Sequence, residues 1–195
     1  MPRQTIWRLF DAGNDLILKM SRTRVNYWGE FALDIPFGIF LVVIGLRRHD
    51  THPAAAGVTL LFGLFLFSFI EYFFHRWVFH GSIRLMAQGH RAHHENPLDY
   101  SSLPFFLPAL LLAGLAGIFG LLMPLGYAFL LTGAIALGYV TYGLSHFIIH
   151  HVRFRSHLVR RWAANHHIHH YHPDTNFGVT TPLWDMVFAT RFVRR

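Results

Sequence analysis

Apolar residues along this chain fall in long blocks rather than alternating, and the blocks set the elements. A stretch from about Phe31 to Leu46, interrupted by Asp34 and Pro36, precedes a cleaner one from Ala54 to about Phe74. A third runs from Leu103 to about Phe147, too long for one crossing, and Met123-Pro124-Leu125-Gly126 offers a turn that divides it into two antiparallel helices. A helical bilayer crossing takes roughly 20 apolar residues. The pattern therefore predicts an all-α integral membrane bundle of four transmembrane helices, built as two hairpins, with the first helix short for the task. From about Arg153 onward the chain turns polar, with Pro173 and Pro182 as breaks, and predicts a cytoplasmic helical cap.

Residues 1–30 are basic, with Arg3, Arg8, Lys19, Arg22 and Arg24, and lack the apolar core of a signal peptide. Ile6, Leu9, Phe10, Leu16, Ile17 and Met20 fit one side of a helix lying on the bilayer surface, although a loosely ordered basic tail fits the same pattern. The expected division is a basic N-terminal segment, 1–30, and a membrane domain, 31–195.

Charge orients this bundle. Five Lys/Arg lie before the first apolar block, three (Arg76, Arg84, Arg91) follow the second, and seven lie in the C-terminal portion, against Arg47 and Arg48 alone on the other side. Fifteen against two (5 + 3 + 7 versus 2) predicts that both termini face the cytoplasm, in a bacterial inner membrane or the endoplasmic reticulum. The formal charge of +7 would suggest nucleic acid in a soluble protein, but only 14% of residues are charged and 53% are hydrophobic, so no nucleic-acid partner is expected. Cysteine is absent, which excludes disulfides, thiolate metal sites and cysteine nucleophiles.

Ten of the 16 histidines then change the picture. They form four clusters: His75-x4-His80, His90-x2-His93-His94, His146-x3-His150 and His166-x2-His169-His170. Imidazole is the commonest protein metal ligand. Ten exceed the needs of one ion of four to six coordination and suit two ions sharing a site. The predicted topology brings all four clusters to one membrane face, the ends of the second and fourth helices and the segments just beyond them. On a helix, the three imidazoles of HxxHH share a face and are expected to point at a common centre, as are His146 and His150. His75 and His80, five residues apart, do not fit a regular helix and predict a helix end or local distortion. Glu71, one turn before His75, is a candidate to orient an imidazole, and His151, His167 and His172 are candidates for hydrogen bonding behind the ligands. His49, His52 and His157 read as interfacial polar residues. The arrangement "apolar span, histidine pair, HxxHH" occurs at 54–94 and again at 127–170, as a worn duplication would leave it. HExxH, GxSxG, a Walker loop and GxGxxG are all absent.

Over roughly residues 67 to 190 the chain resembles the fatty acid hydroxylase/sterol desaturase superfamily of membrane di-iron enzymes. The resemblance rests on Glu71-Tyr-Phe-Phe-His75-x4-His80-Gly81, His90-x2-His93-His94-x2-Pro97-x-Asp99 and His146-x3-His150. The final box, His166-x2-His169-His170, is followed by Asn176-Phe177-Gly178-Val179-Thr180 and Trp184-Asp185-x2-Phe188. Within the superfamily, HHxxPxD and the third-box spacing look most like fatty acid 2-hydroxylases. Ser101-Ser102-Leu103 departs from their usual basic-Leu pair, and no fused cytochrome b5 domain is expected.

The resemblance implies O2-dependent hydroxylation of a lipid C–H bond at two iron ions held by the ten clustered histidines. Zinc is able to take the same imidazoles during purification. The implied substrate is a fatty acyl chain, sphingolipid or sterol. Electrons would come from a separate cytoplasmic donor such as cytochrome b5 or ferredoxin. Phe73, Phe74, Trp77 and Phe147 are candidate walls for an acyl chain. A sterol or fatty-acyl desaturase and a carotenoid hydroxylase are the alternatives within the superfamily. A metal transporter or sensor is the alternative outside it, disfavoured because transporters keep ligands near the membrane midplane.

Overall fold

A computed structural model describes residues 13–194 of the chain. Every regular element among the described residues is helical: α1 over residues 13–21, α2 (Arg24–Leu46), α3 (Pro53–Phe73), a six-residue π-helix (Phe74–Phe79), α4 (Arg84–Glu95), α5 (Leu107–Leu122), α6 (Leu125–His151), α7 (His157–Tyr171) and α8 (Leu183–Val187). Three of them are long and apolar enough to cross a membrane: α2, α3 with its π extension to Phe79, and α6. α5 is also apolar but has 16 residues, about 24 Å at 1.5 Å per residue, against a hydrocarbon core of roughly 30 Å. The chain is thus a multi-pass membrane protein with three helices of crossing length and a shorter fourth.

The first apolar helix is longer than its apolar block. α2 begins at Arg24, where the Thr23 hydroxyl accepts the Asn26 amide at 3.1 Å as an N-cap, and it passes through Pro36 to Leu46. It therefore runs across the boundary expected at residue 30. Of the predicted surface helix, Ile6, Leu9 and Phe10 lie outside the described residues. Within α1, Leu16 is exposed whereas Ile17 and Leu18 turn into a cavity.

α6 is the axis of the bundle, flanked by α2, α3 and α5. Water gives no drive for helices to associate in lipid, so close backbone approach through small residues matters more. At Gly138 a Cβ would lie 2.5 Å from the Phe67 ring, so only glycine lets α3 and α6 meet there. Val58, Leu61, Phe62 and Leu64 of α3 and Leu110, Leu111 and Leu121 of α5 remain exposed, as lipid-facing residues do. The loop before α5 is tied to the start of α2: Asn26 donates to Ser102 Oγ (2.9 Å) and the Leu103 carbonyl (2.7 Å) and accepts from the Phe105 amide (2.9 Å).

Candidate metal centre

α3 and α6 end at the same end of the bundle, and α4 and α7 pack across it. Ten imidazoles meet there in two groups of five: His75, His80, His90, His94 and His169 in one, His93, His146, His150, His166 and His170 in the other. Within each group one ring nitrogen per residue lies within 4.8 Å of all the rest. These are the ten histidines singled out by spacing.

Their distribution corrects the expectation of one centre per HxxHH box. His90 and His94 of α4 join His75 and His80, while His93 crosses to the other group. His166 and His170 of α7 join His146 and His150, while His169 crosses back. Helix geometry explains the split. Residues i and i+4 are about 40° apart around the axis, whereas i+3 and i+4 are about 100° apart. Adjacent histidines therefore face different centres. His94 and His170, stacked with ring centroids 4.4 Å apart, join the two groups.

The expected distortion between His75 and His80 is the π-helix. Its i→i+5 bond runs from the His80 amide to the His75 carbonyl (3.3 Å), and that wider turn returns residues five apart to one face.

The nitrogen spacing is that of a ligand cage. In the first group, His90 Nε2 lies 3.1, 2.9 and 3.0 Å from the Nε2 atoms of His75, His80 and His94, and His80 Nε2 lies 3.0 Å from that of His169. In the second, His166 Nε2 is 3.0 and 3.1 Å from those of His150 and His170, and His93 Nε2 is 3.2 Å from His170 Nε2. Two nitrogens each about 2.1 Å from one ion and at right angles would be about 3.0 Å apart. His75 Nδ1 is 2.5 Å from the Phe177 carbonyl and His169 Nδ1 is 2.7 Å from the Thr175 carbonyl. A carbonyl only accepts, so both rings carry their proton on Nδ1 and turn a bare Nε2 lone pair inward. Unprotonated nitrogens crowded at this distance repel unless a cation lies among them, so the residues fit a metal ion in each group.

Electrostatics favour the ligand form. Burial is the leading cause that pulls His80 down to about 4 and His169 and His170 to about 3, with nearby histidines adding to it. His90, His93, His94 and His166 are lowered for the same first reason. Around pH 7 these rings are neutral and able to coordinate.

The four residues expected behind the ligands behave otherwise. Glu71 bonds no imidazole. Its Oε1 accepts from the amides of Val179 (2.6 Å) and Thr180 (2.9 Å), and its Oε2 from the Thr180 hydroxyl (2.5 Å). It fixes a loop, and the loop carries the carbonyl that orients His75. His151 bonds the carbonyls of Phe147 and Leu98, and His172 stacks on Phe192, so neither reaches a ligand ring. His167 touches His150 edge-on at 5.6 Å.

The residues missed are backbone carbonyls and the carboxylate beneath them. Asp185, 1% exposed, accepts from the amides of Phe177 and Gly178 (both 2.8 Å) and from the Thr190 hydroxyl (2.7 Å). Any side chain at 178 would collide with the Thr181 carbonyl, where a Cβ would lie at 2.1 Å. Glu71 and Asp185 thus clamp the 175–180 turn from two sides. The family-like string Asn176 to Thr180 was visible in the sequence; a main-chain role leaves no side-chain signature there.

A cavity of about 530 Å³ reaches His90, His93 and His146 from the bundle interior. Its walls are mostly apolar, including Phe31, Phe67, Leu112, Leu115 and Ile135. Of the four predicted wall aromatics only Phe74 lines it. Phe73 and Trp77 face outward, and Phe147 stacks on His151 and packs against Tyr27.

A membrane bundle with a histidine cage at the mouth of an apolar cavity suits a metal-dependent enzyme acting on an apolar substrate. The fatty acid hydroxylase family profile matches residues 60–190, and the chain belongs to that family. It is 31% identical to a dihydroceramide fatty acyl 2-hydroxylase of Arabidopsis thaliana, over 86% of this chain and 74% of that protein. It is 30% identical to a fatty acid 2-hydroxylase of Macaca fascicularis over 94% of this chain, but spans only 47% of that longer protein. The solved hydroxylase domain of full-length scs7p superposes with a TM-score of 0.75 at 27% identity, covering 90% of this chain and 69% of that one.

Proposed function

We propose that this protein hydroxylates a fatty acyl chain next to its carbonyl carbon, using O2 and two iron ions. The observation that carries the reading is the cage itself: ten imidazoles in two groups of five at the mouth of an apolar cavity. Each group of five imidazoles would hold one ion. A bound iron pair supplies the capacity to activate O2 and place one oxygen atom in an unactivated C–H bond.

The chain's own residues do the rest. Phe177 and Thr175 hold two imidazoles in the ligating tautomer. The apolar walls take up the acyl chain, exclude water and bring one end of it to the His90, His93 and His146 side. The relatives are named as dihydroceramide fatty acyl and fatty acid 2-hydroxylases, which supports acyl 2-hydroxylation over desaturation. Histidines grouped at one end of the bundle favour an enzyme over a transporter.

In this reading α5 is a fourth crossing, tilted or set in a thinned bilayer, both termini face the cytoplasm, and α1 (residues 13–21) lies at the interface beside the hydroxylase unit. Electrons arrive from a separate cytoplasmic carrier such as cytochrome b5 or ferredoxin. The test is turnover of purified, iron-loaded protein with stearic acid and N-stearoyl dihydrosphingosine, a reductase system and isotopically labelled dioxygen. Product carrying one labelled oxygen at the carbon beside the carbonyl is expected. A new double bond without added oxygen would instead make it a desaturase.

A further inference from the structure

The segment around α8 belongs to the polar C-terminal portion of the chain, yet its aromatic residues pack along the side of a membrane span. Trp184 meets Phe65 and Phe69 of α3, with ring centroids 5.3 and 4.8 Å apart, and its indole N–H donates to Ser68 Oγ at 3.0 Å. Phe188 meets Phe69 at 6.4 Å and stacks on Tyr72 at 5.3 Å. Phe69 and Phe65 lie five and nine residues before Phe74, where the apolar block of α3 ends. Those positions are about 8 and 14 Å down the helix, against a half-thickness of about 15 Å for the hydrocarbon core. Trp184 therefore sits at the depth of acyl chains.

The outer side of this segment is apolar and open. Met186, Val187 and Phe188 are 52%, 60% and 41% exposed, and they extend the outward face that Phe65, Phe73 and Trp77 form on α3 and its π extension. A polar cap standing in water gains nothing from such a patch, whereas acyl chains cover it at no cost. The indole bond agrees: an N–H in water finds partners freely, but one in lipid needs a partner inside the protein, and Ser68 supplies it. Two exposed basic residues, Arg191 and Arg194, follow the patch, as at the head-group edge of a helix lying in a leaflet.

We propose that α8 seats in the acyl layer of the leaflet beside the histidine cage, and that this seat fixes the turn that orients His75. Asp185 makes the tie. It lies between Trp184 and Met186, its carboxylate accepts from the Phe177 and Gly178 amides, and the Phe177 carbonyl holds His75 Nδ1. The bilayer is thereby a structural partner of the cage, whatever lipid is oxidised there.

The chain contains no cysteine, so a single introduced thiol takes a fluorescent label at one known place. Val187→Cys is compared in the full chain with Leu61→Cys, exposed on the span α3, and Arg161→Cys, exposed on α7. Each is reconstituted in phosphatidylcholine vesicles with plain or brominated acyl chains, and iodide is the quencher from water. Brominated chains are expected to quench the label at 187 as they do at 61, and iodide to quench it about fivefold less than at 161. Iodide quenching equal to that at 161 overturns the proposal. Shielding from both quenchers would put another protein on the patch and overturn it equally. The tie to the cage is read by metal retention in the same vesicles. Val187→Asp carries a charge into the acyl layer, and the ion of the His75 group is expected to leave at about tenfold lower chelator than in Val187→Leu. Identical release in the two variants would refute the tie.

Discussion

His93 and His169 exchange partners across the centre. Each is the i+3 residue of its HxxHH box, and each lies with the group that holds the other box's i and i+4 histidines. His93 Nε2 is 3.2 Å from His170 Nε2, and His169 Nε2 is 3.0 Å from His80 Nε2. α4 and α7 are thereby stapled to each other through both candidate ions, and the two halves of the centre have the same ligand pattern: a histidine pair, the i and i+4 residues of one box, and the i+3 residue of the other.

Removing one crossing histidine should therefore affect the ion of the opposite box. His169→Ala is expected to weaken the group built on His75 and His80, and His93→Ala the group built on His146 and His150. Metal content by mass spectrometry should fall from two ions per chain toward one in each single variant and toward none in the double, with hydroxylation lost in all three. Two ions retained in either single variant would show that the crossing residue is not a ligand.

The helices that carry this exchange were legible from spacing. Blocks of apolar residues gave the span of α3 to within a residue and the start of α6, whose end lies a turn beyond the expected Phe147, and the misfit of His75 with His80 announced the π-helix. The exchange itself was not, because which centre an imidazole faces depends on how α4 and α7 pack, a tertiary fact. Nor was the start of α2 at Arg24, because Asn26 and Glu30 read as polar until their partners Ser102, Leu103 and Tyr139 are in place. Glu71 was identified for the wrong neighbour: one turn from His75 in sequence, its carboxylate points at residues more than a hundred positions away.

The two groups should differ in how firmly they hold metal. His75 and His169 of the first are oriented by the Phe177 and Thr175 carbonyls, whereas the Nδ1 atoms of His93, His166 and His170 in the second have no partner among the described residues. Partners of the outer imidazole nitrogen typically change metal affinity 10–100-fold. A graded titration with a chelator is expected to release one ion per chain well before the other, and His93→Ala to abolish the early step. A single release step would contradict the asymmetry.

The Asp185 clamp ties loop to centre. Asp185→Ala leaves the amides of Phe177 and Gly178 and the Thr190 hydroxyl without their buried acceptor, a loss of about 3 kcal/mol or more. Thermal denaturation should register that loss, and metal should leave the His75 group first because the Phe177 carbonyl moves. Gly178→Ala should do the same through its clash with Thr181. Unchanged metal content in both variants would reduce the turn to a structural element.

Acid should destabilise the metal-free protein in a defined window. His80 is held down to about 4, and His169 and His170 to about 3, against 6.5 for an ordinary imidazole. As pH falls below about 6.5, the unfolded chain takes up protons that the folded one refuses, so stability declines from there until the folded pKa values are reached, and is flat above. Melting temperatures of chelator-treated protein should be constant from about pH 8 to pH 7 and drop progressively toward about pH 4. In the iron-loaded protein the decline should begin lower, since the ions compete with protons for the same nitrogens. A melting temperature that rises on acidification in this range would refute the burial of neutral rings.

Chain length should be read by the far end of the cavity. Ile135 lies eleven residues before His146 on α6, about 16 Å along the helix, and with Leu115 of α5 it lines the cavity there. Leu115→Trp fills that end without touching the imidazoles. Turnover of long acyl chains is expected to fall about tenfold, while chains several carbons shorter, which never reach Leu115, lose little; one misfitting methylene already costs roughly 1–3 kcal/mol. The comparison is a competition assay on mixed chain lengths, with metal content as the control for folding. Equal loss at every length would mean that the acyl chain does not run toward Leu115.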